Sequence, residues 1–366
     1  VTQDRPDVVL AHEWLMSAAG SDKVAAELAA TFDVSRVVTA AARPDIAAQL
    51  FPGRRVDTLW TDRLPGIHHS WMRYAPAMLA AWSTVDLGRA DLLISSSHFG
   101  AKAAGARFQG PHVSYCYTPL RYAWRADLEG SRLRGPASAA GRALRPALRS
   151  WDRWSTRSVT RFVAISHAVA ERIEHCYGRP ATVVHPVVDV ERFTRLPRPA
   201  HGGSHYLVAG RLVAYKRADL AVRACTEAGL PLVVMGAGPE LDRLRAIAGP
   251  SVRFESDRSD ARYEELLADA IAFLFPGEED FGIMPVEAMA AGVPVVAYGR
   301  GGVLDTVVDG VTGVLHAGQS VASVLDAIER CSATTWSPEK LRAQADLFRP
   351  EVFRTRMRDV VAELLG

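Results

Sequence analysis

Short apolar runs recur along the chain with room for one helix between each pair, and this alternation limits the fold more than any other feature. DVVLAH (7–12), VSRVVTA (34–40), DLLISSS (91–97), HVSYCY (112–117), FVAIS (162–166) and TVVHP (182–186) are such runs. Each is too short for a core helix and reads as a strand buried on both faces. Stretches of helix length, rich in alanine and arginine, lie between them. Strands alternating with helices predict a parallel sheet covered on both sides.

The pattern breaks at RFTRLPRPAHGGSH (192–205), which has two prolines, two glycines and no apolar run, and reads as a linker. Beyond it the alternation restarts. HYLVAGRL (205–212) is strand then turn, and a helix follows over 218–229. Strand 231–236, helix 239–249, strand 252–254, a helix near 261–270 and strands 271–276 and 293–298 complete it. A chain of 366 residues exceeds one ordinary core. The expected class is α/β, with two Rossmann-like domains facing each other across a cleft. Their expected bounds are 1–195 and 196–349. The end, 350–366, has helical apolar spacing at Val352, Phe353, Met357, Val360, Val361, Leu364 and Leu365, and fits either domain.

Apolar residues at 48%, charged residues at 23% and a net charge of +2 describe a globular chain without a strong overall field. Nucleic acid is therefore not expected as a partner. Cys116, Cys176, Cys225 and Cys331 lie far apart without metal-ligand spacing, so neither a zinc site nor a disulfide framework is expected. No apolar run approaches the ~18 residues of a membrane span, and the first residues do not read as a signal peptide. The expected location is cytoplasmic, with peripheral attachment at the inner membrane face as an extension.

Two constellations carry chemistry. In GEEDFGIMPVEAMAAG (277–292), Glu279 precedes Phe281-Gly282 and Glu287 follows Pro285, between two strands. The amides of Phe281, Gly282, Ile283 and Met284 would stand at a helix start, where the dipole favours an anion. Glu287, expected in the first helical turn, could accept both hydroxyls of a ribose, and Glu279 sugar hydroxyls. A solvated acidic loop capped by an ordinary helix fits the same spacing. In VAGRLVAYKRAD (208–219), Gly210 follows a strand and Arg211 and Lys216 lie near the loop. Two such cations can neutralise a diphosphate, although surface cations would look alike. Both loops leave carboxyl ends of strands in one expected domain, so they can converge on one ligand.

Together, GRL-VAYK, PGEEDFGIMPVEAMAAGVPVVA and VVHPVVDVERF resemble the retaining nucleotide-sugar glycosyltransferases of family 4, on the GT-B fold. The resemblance implies that Glu279 contacts the donor sugar, Glu287 the ribose, and Arg211 and Lys216 the diphosphate. It also implies that the Gly282–Met284 backbone holds the distal phosphate. HEWLMSAAGSDKV (12–24), ADLLISSSHFGAKA (90–103), SYCYTPLRYAW (114–124) and HPVVDVERF (185–193) are similar to a branch containing bacterial O-antigen-type mannosyltransferases that use GDP-mannose. That branch usually has Gly-Gly-Glu-Lys where this chain has Gly20-Ser21-Asp22-Lys23, the loop that would face the donor phosphates. It also usually has a histidine where Tyr117 stands, near the reacting sugar.

His12 ends the first strand and is a candidate for the sugar vicinity, with His98 a weaker one. GAGPEL (236–241) has Leu241 at the third position of a dinucleotide fingerprint and reads as strand, turn and helix. No Asp-x-Asp or Walker sequence occurs. The expectation is thus no metal and no cofactor, with a sugar nucleotide, GDP-linked, as substrate and a hydroxyl as acceptor. Arg142, Arg145, Arg149, Arg153, Arg157 and Arg161 recur at helical spacing. They form a solvated basic face or a docking stripe for anionic membrane. A nucleotide-sugar epimerase and a catalytically silent sugar-nucleotide-binding subunit are the rival readings.

Overall fold

The computed structural model describes residues 6–18, 20–125, 136–199 and 202–366, with 136–142 described through their backbone. The chain forms two compact units, Val1–Pro186 with Phe353–Gly366, and Val187–Val352. The expected boundary at 195/196 does not coincide with this division. Residues 187–195 group with the second unit because the helix Val190–Thr194, capped by the Asp189 carboxylate, buries Val190 and Phe193 there.

The first unit holds a sheet of β1 (Val8–His12), β2 (Arg36–Thr39), β3 (Arg55–Thr58), β4 (Leu92–Ser97), β5 (His112–Cys116), β6 (Arg161–Ala164) and β7 (Ala181–Val183). All pairings are parallel, in the order β3-β2-β1-β4-β5-β6-β7. Every residue of β1, β4 and β5 is buried, as expected of strands with helices on both faces. The final helix, Pro350–Leu365, turns Phe353, Met357, Val360 and Val361 inward. Phe353 meets the Tyr115 ring of β5 edge-on, and Arg354 pairs with Glu27.

The second unit holds β8 (His205–Ala209), β9 (Leu232–Met235), β10 (Val252–Glu255), β11 (Ala270–Phe275), β12 (Val295–Tyr298) and β13 (Gly313–His316). This sheet is also parallel, in the order β10-β9-β8-β11-β12-β13. Its core joins Val208, Leu232, Val234, Leu274 and Val296 to Leu220, Val222 and Ile328 from flanking helices. In each sheet the strand order reverses beside the first strand. The crevice at the strands' carboxyl ends there is the usual ligand position in open α/β sheets.

The arginine series departs from expectation. The helix Pro136–Trp154 ends before Arg157, and Arg161 opens β6, so the arginines do not share one helix. Hydroxyls close the helix: Ser155 Oγ donates to the Asp152 carbonyl and Thr156 Oγ1 to that of Arg153. Arg142 lies outside the residues whose side chains are described.

Candidate functional site

In the second unit, the strand order reverses between β8 and β11, and the loops leaving these strands meet there. Gly210, just past β8, has φ +116°, and a Cβ at this position would stand 3.3 Å from Met284 Sδ and 3.5 Å from Lys216 Nζ. The chain then passes Arg211 and makes a single turn, Ala214–Lys216. Past β11, Gly277 lies so close to this turn that a Cβ would come within 2.6 Å of Lys216 Cα. The two loops are thereby pressed together, and Lys216 Nζ lies 2.7 Å from Glu279 Oε1. Both side chains remain about one-fifth exposed, at 21% and 20%. Arg211 is exposed and reaches Tyr215 Oη at 3.4 Å. Arg211, Lys216 and Glu279 line one recess with Leu212, Phe275 and Pro276.

The backbone of Glu279 is fixed from behind. It bridges to Gly301, and the Gly302 amide donates to its carbonyl at 2.9 Å. Gly282 caps the helix Ile283–Ala290 with φ +90°, and a Cβ there would stand 3.1 Å from the Phe275 ring. Conformation and space both call for glycine at this cap. Phe281 is buried against Phe348, while Ile283 and Met284 are half-buried at the helix start. Glu287 occupies the second helical turn, not the first as expected, because the helix begins directly after Gly282. Its carboxylate accepts a hydrogen bond from Tyr263 Oη at 2.9 Å, a partner that the spacing of Glu279 and Glu287 does not reveal.

In the first unit, side chains at the carboxyl ends of β1, β4 and β5 form a second polar cluster. His12 is fully buried, with Nδ1 3.0 Å from Ser96 Oγ and Nε2 3.0 Å from Asp22 Oδ1. Ser96 Oγ lies 2.9 Å from Tyr117 Oη, which donates to the Ser21 carbonyl at 3.0 Å. The Tyr117 hydroxyl therefore holds the start of the Gly20–Thr31 helix, and burial pushes its pKa well above the ordinary phenol value. Both ring nitrogens of His12 are thus engaged, one by Ser96 and one by Asp22. His98 is half-buried, edge-on to Trp14 at 4.9 Å between ring centres, and burial lowers its pKa to about 4.

Sequence reading missed the buried charges beneath this cluster. Glu13 accepts hydrogen bonds from Ser97 Oγ and from the amides of His98, Phe99, Gly100 and Ala101, at 2.7 to 3.0 Å. Burial alone would raise its pKa, but His98, the Gly100 and Phe99 amides and Lys102 more than reverse this. Lys102 Nζ meets Asp152 Oδ1 at 2.8 Å, both fully buried, and the other Asp152 oxygen accepts from Trp124 Nε1 and Tyr177 Oη. In the sequence Glu13, Lys102 and Asp152 stand far apart, and local spacing does not pair them.

The comparisons with known proteins agree with this architecture. Residues 197–347 match the model for glycosyl transferases group 1, and residues 20–192 match that for glycosyltransferase family 4. A D-inositol 3-phosphate glycosyltransferase of Mycobacterium leprae is 31% identical over 177 residues, 43% of this chain and 41% of that protein. One from Streptomyces avermitilis is 29% identical over 339 residues, 79% of this chain and 68% of that protein. The chain thus spans well under half the length of the first of these relatives. Among solved structures, the lipopolysaccharide outer core galactosyltransferase WaaB superposes with a TM-score of 0.71 at 13% identity, covering 98% of this chain and 99% of that one. HepE of Anabaena, in complex with UDP-glucose, gives 0.71 at 16%, covering 97% of this chain and 99% of that one. The chain joins a glycosyltransferase family 4 domain to a glycosyl transferases group 1 domain on the GT-B scaffold.

Proposed function

We propose that the protein transfers a hexosyl group from a nucleoside diphosphate sugar to an acceptor hydroxyl, with retention of configuration. The observation that carries this reading is the contact of Lys216 with Glu279 beside Arg211, in one recess where the strand order reverses. Arg211 and Lys216 would neutralise the diphosphate, and the amides after Gly282 would take its distal oxygens. Glu279 would orient the sugar and Glu287 the ribose. The bond from the anomeric carbon to the diphosphate oxygen breaks as that oxygen takes up negative charge, which the two cations stabilise. The acceptor oxygen then bonds to the anomeric carbon from the same face, and its proton passes to the departing diphosphate. This charge balance needs no metal, and full turnover in the presence of a strong chelator tests that point.

The amino-terminal resemblance favours a GDP-linked, mannosyl-like donor, whereas HepE is a complex with UDP-glucose. Thermal shifts with GDP, UDP and ADP separate the two: the true donor nucleotide raises the melting temperature by mass action. A protein that none of the three stabilises would refute the donor site. Product analysis with one sugar nucleotide and no acceptor tests the epimerase alternative. The relatives named as inositol phosphate glycosyltransferases make inositol phosphates a first acceptor class to try. Attachment to an anionic membrane would draw on Arg145 and Arg157. Arg149 and Arg153 are already bound to the carbonyls of Ala123 and Cys176 and stacked on Trp124. Equal sedimentation with neutral and anionic vesicles would end that reading.

A further inference from the structure

We propose that Tyr263 positions Glu287 and so makes the donor site selective for a ribose over a deoxyribose. This rests on the reading of Glu287 as the carboxylate that binds the ribose. Tyr263 Oη lies 2.9 Å from Glu287 Oε2. An ionised carboxylate only accepts, so the single phenol proton is committed to it. Burial and the Glu287 charge both push the phenol pKa up, which keeps that proton in place.

The tyrosine is itself held. Its ring meets Phe193 edge-on, 6.0 Å between centres. Arg192, the residue before Phe193, binds Asp260 at 3.1 Å and Glu264 at 2.5 Å, both on the helix Asp260–Ala268 that carries Tyr263. Ser259 caps that helix by accepting from the Arg262 amide. The chain therefore spends a capped helix, an ion-pair fork and a ring contact on aiming one hydroxyl at one carboxylate oxygen.

A cis diol presents two donors side by side, and a carboxylate meets both only when its plane is set. A glutamate in one orientation before the ligand arrives loses less side-chain freedom on binding than one that turns freely. A site built to bond hydroxyls also discriminates strongly against a ligand that lacks them, because the acceptor is then left unpaired. Tyr263 takes one of about four lone-pair positions on the carboxylate and fixes its plane for the diol.

The test is calorimetric binding of the preferred nucleoside diphosphate, found among GDP, UDP and ADP, and of its 2′,3′-dideoxy form. Wild type and Tyr263→Phe are compared, since phenylalanine keeps the ring contact. Wild type should prefer the ribose form by roughly tenfold or more. Tyr263→Phe should weaken the ribose form about five- to tenfold and leave the dideoxy form unchanged. If the variant weakens both forms alike, or neither, Tyr263 only supports the fold and this proposal falls alone. A wild type that binds no nucleoside diphosphate, or binds both forms equally, overturns the role of Glu287 and this proposal with it.

Discussion

Lys216 Nζ lies 2.7 Å from Glu279 Oε1, and the two residues leave different strands of the same sheet. Both are partly exposed, so the pair itself adds only about 0 to 1 kcal/mol to stability. Its value lies in keeping an ammonium at the mouth of the β8–β11 crevice. Lys216→Ala is expected to keep its circular dichroism spectrum and lose about 10²- to 10³-fold in sugar transfer. Turnover at the wild-type level would remove Lys216 from the mechanism.

On the proposed donor site, Glu279 and an incoming diphosphate would compete for that ammonium. Glu279→Gln should therefore bind the free nucleoside diphosphate about two- to fivefold more tightly, the scale of a partly exposed ion pair. Transfer should nonetheless fall, because the sugar loses its acceptor. Calorimetry and turnover read the two effects separately, and a parallel loss of both would contradict the competition.

Tyr117→Phe deletes the hydroxyl between the Ser21 carbonyl and Ser96 Oγ. About 1 to 2 kcal/mol of stability should be lost. Urea unfolding followed by tryptophan fluorescence suits this measurement, since every tryptophan except Trp336 lies in the first unit.

Lys102→Met strands the Asp152 carboxylate in the core, where it still accepts from Trp124 and Tyr177. Breaking such a pair on one side costs about 3 to 5 kcal/mol. The double variant Lys102→Met with Asp152→Asn should be more stable than Lys102→Met alone. A double variant that is the less stable of the two would show that the charge was not the cause.

Acid should unsettle the first unit in two stages. Burial lowers the His98 pKa to about 4, and burial with Arg179 lowers that of His112 to about 3. The unfolded chain binds these protons near pH 6.5, so stability falls as pH drops from there toward 4 and 3. Glu13, whose folded pKa is lowered, contributes stability that is present above about pH 4.5 and lost as pH falls through its folded value. Replacing His112 with Asn should flatten the upper stage only, as urea titrations at several pH values would record.

The fold was legible where burial on both faces writes a run of apolar residues, as in LLISSS of β4 and AIAFLF of β11. The edge strands β3 and β13 were not, because RVDT and GVLH are short and β3 carries no fully buried residue. Local chemistry marked the loops of Lys216 and Glu279, since glycines and charges cluster within a few residues there. The Glu287–Tyr263, His12–Asp22 and Lys102–Asp152 partnerships were hidden. Each depends on how a helix seats against its sheet or against another helix, and local spacing carries no record of that.

Both sheets offer backbone donors at the same topological station, but one station is already filled. The amides of residues 98–101 close around Glu13, so the first unit carries its own permanent counter-ion where a phosphate would otherwise settle. Across the matching crevice of the second unit, the loop after β8 brings Arg211, exposed, and Lys216, partly exposed. An architecture repeated twice is thereby made unequal: among the described residues, one mouth is plugged from within by a carboxylate, and the other is lined with cations.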